Sequence, residues 1–194
     1  MKDKILMIVF VLVLGSILTA ALVAVNYVTT PVIEKNEEIA TKSSILEALS
    51  ISFDPGEVEQ VFENNVEQRE RNGTTYYVSE DGDIAFPYSG SGLWGPIEGI
   101  IAIQPNFETL EGITISRQEE TPGLGSRITE PQYLAQFQGK RFTEELKLVQ
   151  PGRSSADNEV DSITGATMTT DAFVKILNDN IRETVPAIEE GEGQ

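Results

Sequence analysis

The 194-residue chain contains no cysteine and no histidine. These two absences exclude more chemistry than any single motif adds. Zinc sites, iron–sulfur ligation, axial haem histidines, thiol nucleophiles and Ser–His triads all lack their essential atoms. No disulfide can form, so cysteine usage says nothing of the redox compartment. Basic side chains are scarce as well: 14 Lys and Arg stand against 31 Asp and Glu, a formal net charge of −17. Such a chain repels nucleic-acid phosphates and has no general attraction to anionic headgroups, so nucleic-acid binding is discarded. The charge excess itself reads as a solvated surface. There is one tryptophan, no internal repeat and no low-complexity tract. The length and a hydrophobic content of 40% suit one globular domain plus a short extra element.

What is present begins with a long apolar run. From Ile5 to Val28 no residue is charged, and only Gly15, Ser16, Thr19 and Asn26 interrupt the hydrophobic and aromatic side chains. At about 1.5 Å per residue a helix of this length crosses a hydrocarbon core of roughly 30 Å. A cleaved signal peptide would carry a shorter apolar region and a small-x-small site. Leu22-Val23-Ala24 is a poor one, so residues 5–28 are expected to be an uncleaved transmembrane helix. Lys2 and Lys4 precede it, and the positive-inside rule makes residues 1–4 a cytoplasmic stub. The chain after Thr30 is then extracytoplasmic, with a domain over 31–186 and an acidic tail over 187–194. The span holds no ionisable residue and cannot itself be an ion path.

Pro31 to Leu49 is expected to be a helix, broken from the membrane span at the proline. Val58–Gln68 fits helix or strand. Thr74–Ser79 and Ile84–Phe86 read as a hairpin with an Asp81-Gly82 turn, and Ser89–Gly92 as a flexible hinge. Ile97–Gln104 and Leu110–Arg117 form a second hairpin; Glu130–Phe137 is a short helix, Phe142–Val149 a strand. Met168–Val185 is a final amphipathic helix stopped by Pro186. The expected fold class is α+β: the transmembrane helix, then an extracytoplasmic domain with an antiparallel sheet and flanking helices.

Ahead of that last helix runs Asp161-Ser162-Ile163-Thr164-Gly165-Ala166-Thr167. Small residues and hydroxyls at a helix start favour an anion, because free N–H groups and the dipole point there. An ordinary capping loop explains the same residues, since Thr is a good N-cap and Gly permits a tight turn. The glycine spacing of a dinucleotide loop and the lysine of a P-loop are both missing, so nothing points to NAD or ATP.

The heptad closely resembles the flavinylation motif of the FMN-binding subunits of membrane-bound Rnf and Nqr complexes. Four further features match that family in the same order. They are the single membrane helix, Gly92-Leu93-Trp94-Gly95-Pro96-Ile97, Glu120-Thr121-Pro122-Gly123-Leu124-Gly125 and Gln136-Phe137-Gln138-Gly139-Lys140. They cover most of residues 90–185, whereas 31–88 agrees only in general layout. The resemblance implies an FMN-binding domain with FMN covalently bound to Thr167 through a phosphoester. A dedicated flavin transferase would install it, taking FMN from FAD. Leu93, Trp94, Glu120, Thr121 and Leu124 would touch the flavin ring. Thr164 would lie near the phosphate, and Gly165 and Ala166 would let it approach the backbone above a helix beginning at Met168. Asp161 would serve recognition by the transferase.

By the same resemblance the protein is an electron-relay subunit of an ion-translocating oxidoreductase, assembled with other membrane subunits in the cell inner membrane. It would not be an independent catalyst. The compact length favours the Rnf type, and Gly-Leu-Trp leans towards Nqr. A stand-alone membrane-anchored extracytoplasmic flavoprotein and a non-redox binding module of the same fold are the alternatives.

Overall fold

A computed structural model describes residues 2–71 and 73–192. It divides into two compact units with the boundary between Ala40 and Thr41. The first unit lies wholly within α1, a helix over Lys2–Ala48. Its apolar side chains from Ile5 to Ile33 are exposed, and it has the length and composition to cross a membrane. The expected break at Pro31 is absent, because the helix continues through it. Proline removes one donor there. The neighbouring Thr29 and Thr30 hydroxyls donate to the carbonyls of Val25 and Asn26, 2.9 and 2.8 Å away, so the adjoining turn stays hydrogen-bonded.

The second unit is built on a five-stranded antiparallel sheet whose order follows the sequence. Its strands are β1 (Val66–Arg71), β2 (Thr74–Ser79), β3 (Ile84–Ser91), β4 (Pro96–Ile103) and β5 (Leu110–Gln118). Both expected hairpins form, with Tyr77 opposite Ala85 in one and Ile101 opposite Ile113 in the other. The helix-or-strand ambiguity after Pro55 resolves into both, as α2 (Val58–Asn65) runs directly into β1.

Alternation along the strands sends side chains to two covered faces. Ile84, Phe86 and Tyr88 of β3 and Ile97, Ile101 and Ile103 of β4 face α4, a helix over Thr167–Glu192. Phe173, Leu177 and Ile181 of α4 fill that layer, and Phe137 and Phe173 meet edge to face at 5.7 Å. The opposite face is closed by the last residues of α1, where the Thr114 hydroxyl donates to the Ser44 carbonyl at 3.2 Å. Phe62 of α2 packs edge-on against Tyr77 on the same side, 5.9 Å between centroids. With both faces covered, Ile100 to Ile103 are all buried. An α+β fold results, with helices flanking an antiparallel sheet.

Several local expectations are overturned. Ser89–Ser91 is strand, not hinge, and Gly90 lies so close to Ile176 that a Cβ would stand 2.6 Å from it. Pro186 does not stop α4, which runs on to Glu192 because Ile188 is fully buried in the core. The acidic tail expected over 187–194 is therefore helical as far as 192, and its last two residues lie outside the described ones. Within Phe142–Val149 only β6 (Lys147–Val149) is strand, and it pairs in parallel with β7 (Glu159–Asp161). The 138–142 stretch instead borders β5. Gly139 N–H donates to Leu110 O and Leu110 N–H to Lys140 O, each at 2.9 Å. The short helix is α3 (Pro131–Leu134), extended by one 3-10 turn over Ala135–Phe137.

Candidate functional site

Three segments distant in sequence converge at the start of α4. The first is the tight connection between β3 and β4, closed by Gly92 N–H donating to Gly95 O at 2.8 Å. The second is the loop after β5, folded by Leu124 and Ser126 N–H groups that both donate to Thr121 O at 3.1 Å. The third is the heptad. Ala166 N–H donates to Ile163 O at 2.9 Å, closing a turn with Gly165 at φ +84°. Only the third residue of a type II turn needs positive φ, and glycine meets that need without strain.

Together they line a cleft of about 440 Å³, within the range of small-molecule sites. Its walls are Leu93, Trp94, Thr121, Leu124, Gly125 and the run from Gly165 to Thr169. Leu93, Trp94, Leu124 and Met168 are exposed apolar side chains, Trp94 at 71% and Met168 at 69%. Large apolar groups bare to water on one rim mark a binding surface. Helix α4 begins at Thr167, one residue before expectation, so Thr167 is its first helical residue. The leading N–H groups of a helix have no intrahelical partner and carry its positive dipole end. The cleft thus joins an apolar slot to an anion-favouring end, the shape and chemistry an FMN ring and phosphate require.

Of the residues named from sequence, Leu93, Trp94, Thr121, Leu124, Gly165, Ala166 and Thr167 are brought together here. Two are not. Glu120, expected against the ring, does not line the cleft; it is 4% exposed and lies behind it. Its carboxylate accepts Leu93 N–H at 2.7 Å, Trp94 N–H at 3.1 Å and the Thr169 hydroxyl at 2.8 Å. Thr164 faces a separate polar cleft of about 460 Å³ with Arg127, Gln136, Asp161 and Ser162, because the turn at Gly165 reverses the chain between them. Sequence reasoning missed Met168, Thr169 and Gly125. The available signal was position: Gly125 closes the Glu120–Gly125 motif, and Met168 and Thr169 directly follow the heptad.

The hydroxyls of the turn are in different states. Thr169 is bound to Glu120, and Thr170 donates to the carbonyls of Ala166 and Thr167 at 3.2 and 2.9 Å. Thr167 is exposed, and among the described residues its hydroxyl makes no hydrogen bond within the chain. Asp161 pins the loop ahead of β7, where Ser154 and Arg153 N–H groups donate to its Oδ1 at 2.9 and 3.0 Å. Those bonds, the Ser154 one first, hold its carboxyl below the ordinary value of 3.8. A depressed folded pKa contributes stability that is present above the ordinary value and lost as pH falls through the folded one. Acid should therefore loosen this loop. Amide exchange at Arg153 and Ser154, corrected for intrinsic rates, should quicken below about pH 4 and already be fast at neutral pH in Asp161→Ala, which has no acceptor there.

Comparison with known proteins agrees with this geometry. Residues 92–182 match the FMN-binding domain family. The chain is 30% identical over 158 residues to NqrC of the Na(+)-translocating NADH-quinone reductase of Vibrio campbellii, covering 75% of this chain and 60% of that one. The crystal structure of the corresponding reductase subunit from Parabacteroides distasonis superposes with a TM-score of 0.66 at 25% identity. It covers 75% of this chain and 89% of that one. Shewanella oneidensis NqrC gives 0.69 at 20% identity, over 77% of this chain and 93% of that one, a likeness of fold. The chain spans 60% and 44% of the length of the Vibrio campbellii and Vibrio vulnificus relatives.

The match over residues 92–182 marks this part of the chain as similar to FMN-binding domains, and the relatives and solved structures to which the chain is similar are C subunits of Na(+)-translocating NADH-quinone reductases.

Proposed function

We propose that the protein is a membrane-anchored electron relay of an Rnf/Nqr-type complex, carrying FMN tethered to Thr167. The supporting observation is the pairing of the unengaged Thr167 hydroxyl, at the head of α4, with the apolar slot of Leu93, Trp94, Leu124 and Met168. In the tethering step the Thr167 Oγ1–P bond forms as the phosphoanhydride of FAD breaks. The nucleoside monophosphate leaves and the hydroxyl proton is lost to solvent. A separate flavin transferase performs it. When bound, FMN supplies the redox chemistry. The chain's own residues hold the ring against the Leu93–Trp94 and Thr121–Leu124 walls, and the first N–H groups of α4 hold the phosphate.

Residues before Ile5 lie on the cytoplasmic side and the flavin domain outside, following Lys2 and Lys4. A covalent link prevents loss of cofactor there. The Vibrio relatives are Nqr subunits, so the Nqr type has their support; the Rnf preference drawn from length has none among them.

Co-expression with a flavin transferase should give a denatured band that fluoresces under ultraviolet light; a dark band overturns the tether. Native purification should bring polytopic membrane subunits with the chain. Isolation as a monomer that reduces a soluble acceptor would instead favour a stand-alone flavoprotein.

A further inference from the structure

Glu120 is a carboxylate almost wholly removed from water at the junction of the three segments. Burying such a charge is costly unless every direction is met by donors. Here Oε1 takes two backbone N–H groups from Leu93 and Trp94, and Oε2 takes the Thr169 hydroxyl from the first turn of α4. The positive end of the helix adds to the same anion. Its own N–H is occupied by Gln118 Oε1 at 2.7 Å, which fixes the backbone from which the side chain leaves.

Room for the carboxylate comes from two glycines. A Cβ on Gly92 would stand 2.5 Å from Oε1, and a Cβ on Gly125 would stand 2.9 Å from Oε2 and 2.7 Å from the Thr169 hydroxyl oxygen. Neither glycine has a positive φ, so close approach and not backbone freedom explains both. Four positions on three segments, Gly92, Glu120 with Gly125, and Thr169, therefore form one arrangement around a single carboxylate. Glu120 itself does not line the cleft, although Gly125 and Thr169 do. All of these contacts connect the wall bearing Trp94 to the turn bearing Thr167.

We propose that Glu120 is the positioning residue of the site. Its carboxylate struts the Leu93–Trp94 wall to Thr169, two residues beyond the tether, and places one fixed negative charge behind the flavin slot. The strut sets how far the wall stands from Thr167; the charge opposes addition of electrons to anything held in the slot. The second part rests on the reading that FMN occupies this cleft, whereas the first does not.

Trp94 is the only tryptophan, so the wall carries its own reporter. In the full chain in detergent, flavin-free through Thr167→Ala, the rapid depolarisation of Trp94 fluorescence sets the reference amplitude. Glu120→Ala and Thr169→Val should each raise its amplitude about twofold or more. Glu120→Gln should stay near the parent value, since an amide oxygen still accepts from Leu93 and Trp94 while its NH2 donates to Thr169. If Glu120→Ala does not fold, Thr169→Val carries the same test. Unchanged depolarisation in a folded variant overturns the strut.

In the flavin-loaded chain, Glu120→Gln should raise the midpoint potential while leaving the tryptophan signal in place. A merely structural role would lower the melting temperature and leave the midpoint where it was, and an unmoved midpoint overturns the charge. The tryptophan result stands without flavin, so loss of the FMN reading and loss of the strut are separately visible.

Discussion

Thr167→Ala should abolish covalent flavin and leave the domain folded. On denaturing electrophoresis after co-expression with a flavin transferase, ultraviolet fluorescence should fall from a full band to background. Thr164→Ala should keep the band, because its side chain faces the polar cleft on the other side of Gly165. Thr167→Ser, which retains a hydroxyl at the same helical position, should keep at least part of it. The fold should hardly notice: an exposed first helical residue with no hydrogen bond of its hydroxyl within the chain changes stability by about 0.5 kcal/mol or less. A fluorescent Thr167→Ala band would remove the tether from this residue, and the two buried hydroxyls that follow it in the helix are already engaged. Thr169 serves Glu120, and Thr170 serves the backbone of its own helix.

Gly99→Ala should have the largest effect on folding. Gly99 sits at a register shift in β4, and an added Cβ would stand 1.9 Å from the Thr114 carbonyl oxygen and 2.8 Å from the Tyr88 hydroxyl. Both are strand components held by their own pairing, so neither can yield cheaply. Tyr88 donates to that same carbonyl at 3.1 Å, and burial pushes its phenol well above the ordinary range, so it remains a neutral donor. Relieving the clash means parting β4 from β5 and breaking this bond. The expected loss is on the order of 3 kcal/mol or more, read as a lower urea midpoint of the full chain in detergent. Gly56→Ala is the control. Its added Cβ meets nothing within 4 Å, and it should stay within about 0.5 kcal/mol of the parent.

The two hairpins were readable because their signals are local. Asp81-Gly82 and Pro105-Asn106 each separate β-rich runs of suitable length. The slot was readable through resemblance, which placed Leu93, Trp94, Leu124 and Thr167 in one site without saying how they meet. What escaped depends on partners far along the chain. Pro186 reads as a stop until Ile188 is seen to be fully buried beyond it. Ser89–Ser91 reads as a hinge until Ile176 fills the space above Gly90. The parallel pairing of β6 with β7 involves three residues on each strand, too few for a periodic pattern. Glu120 shows the same limit most clearly. The resemblance suggested a ring contact, but its donors at Leu93, Trp94 and Thr169 lie on two other segments.

The placement of Thr167 also bears on the order of biogenesis. Its side chain is at the surface, whereas Thr169 and Thr170 beside it are buried and Phe173 is at the centre of the core. Packing of α4 therefore involves residues from Thr169 onward and leaves Thr167 outside it. On the proposed tether, folding and cofactor attachment would be separable events: the domain would complete itself first and present a finished acceptor to the modifying enzyme, and the unmodified chain should already be folded.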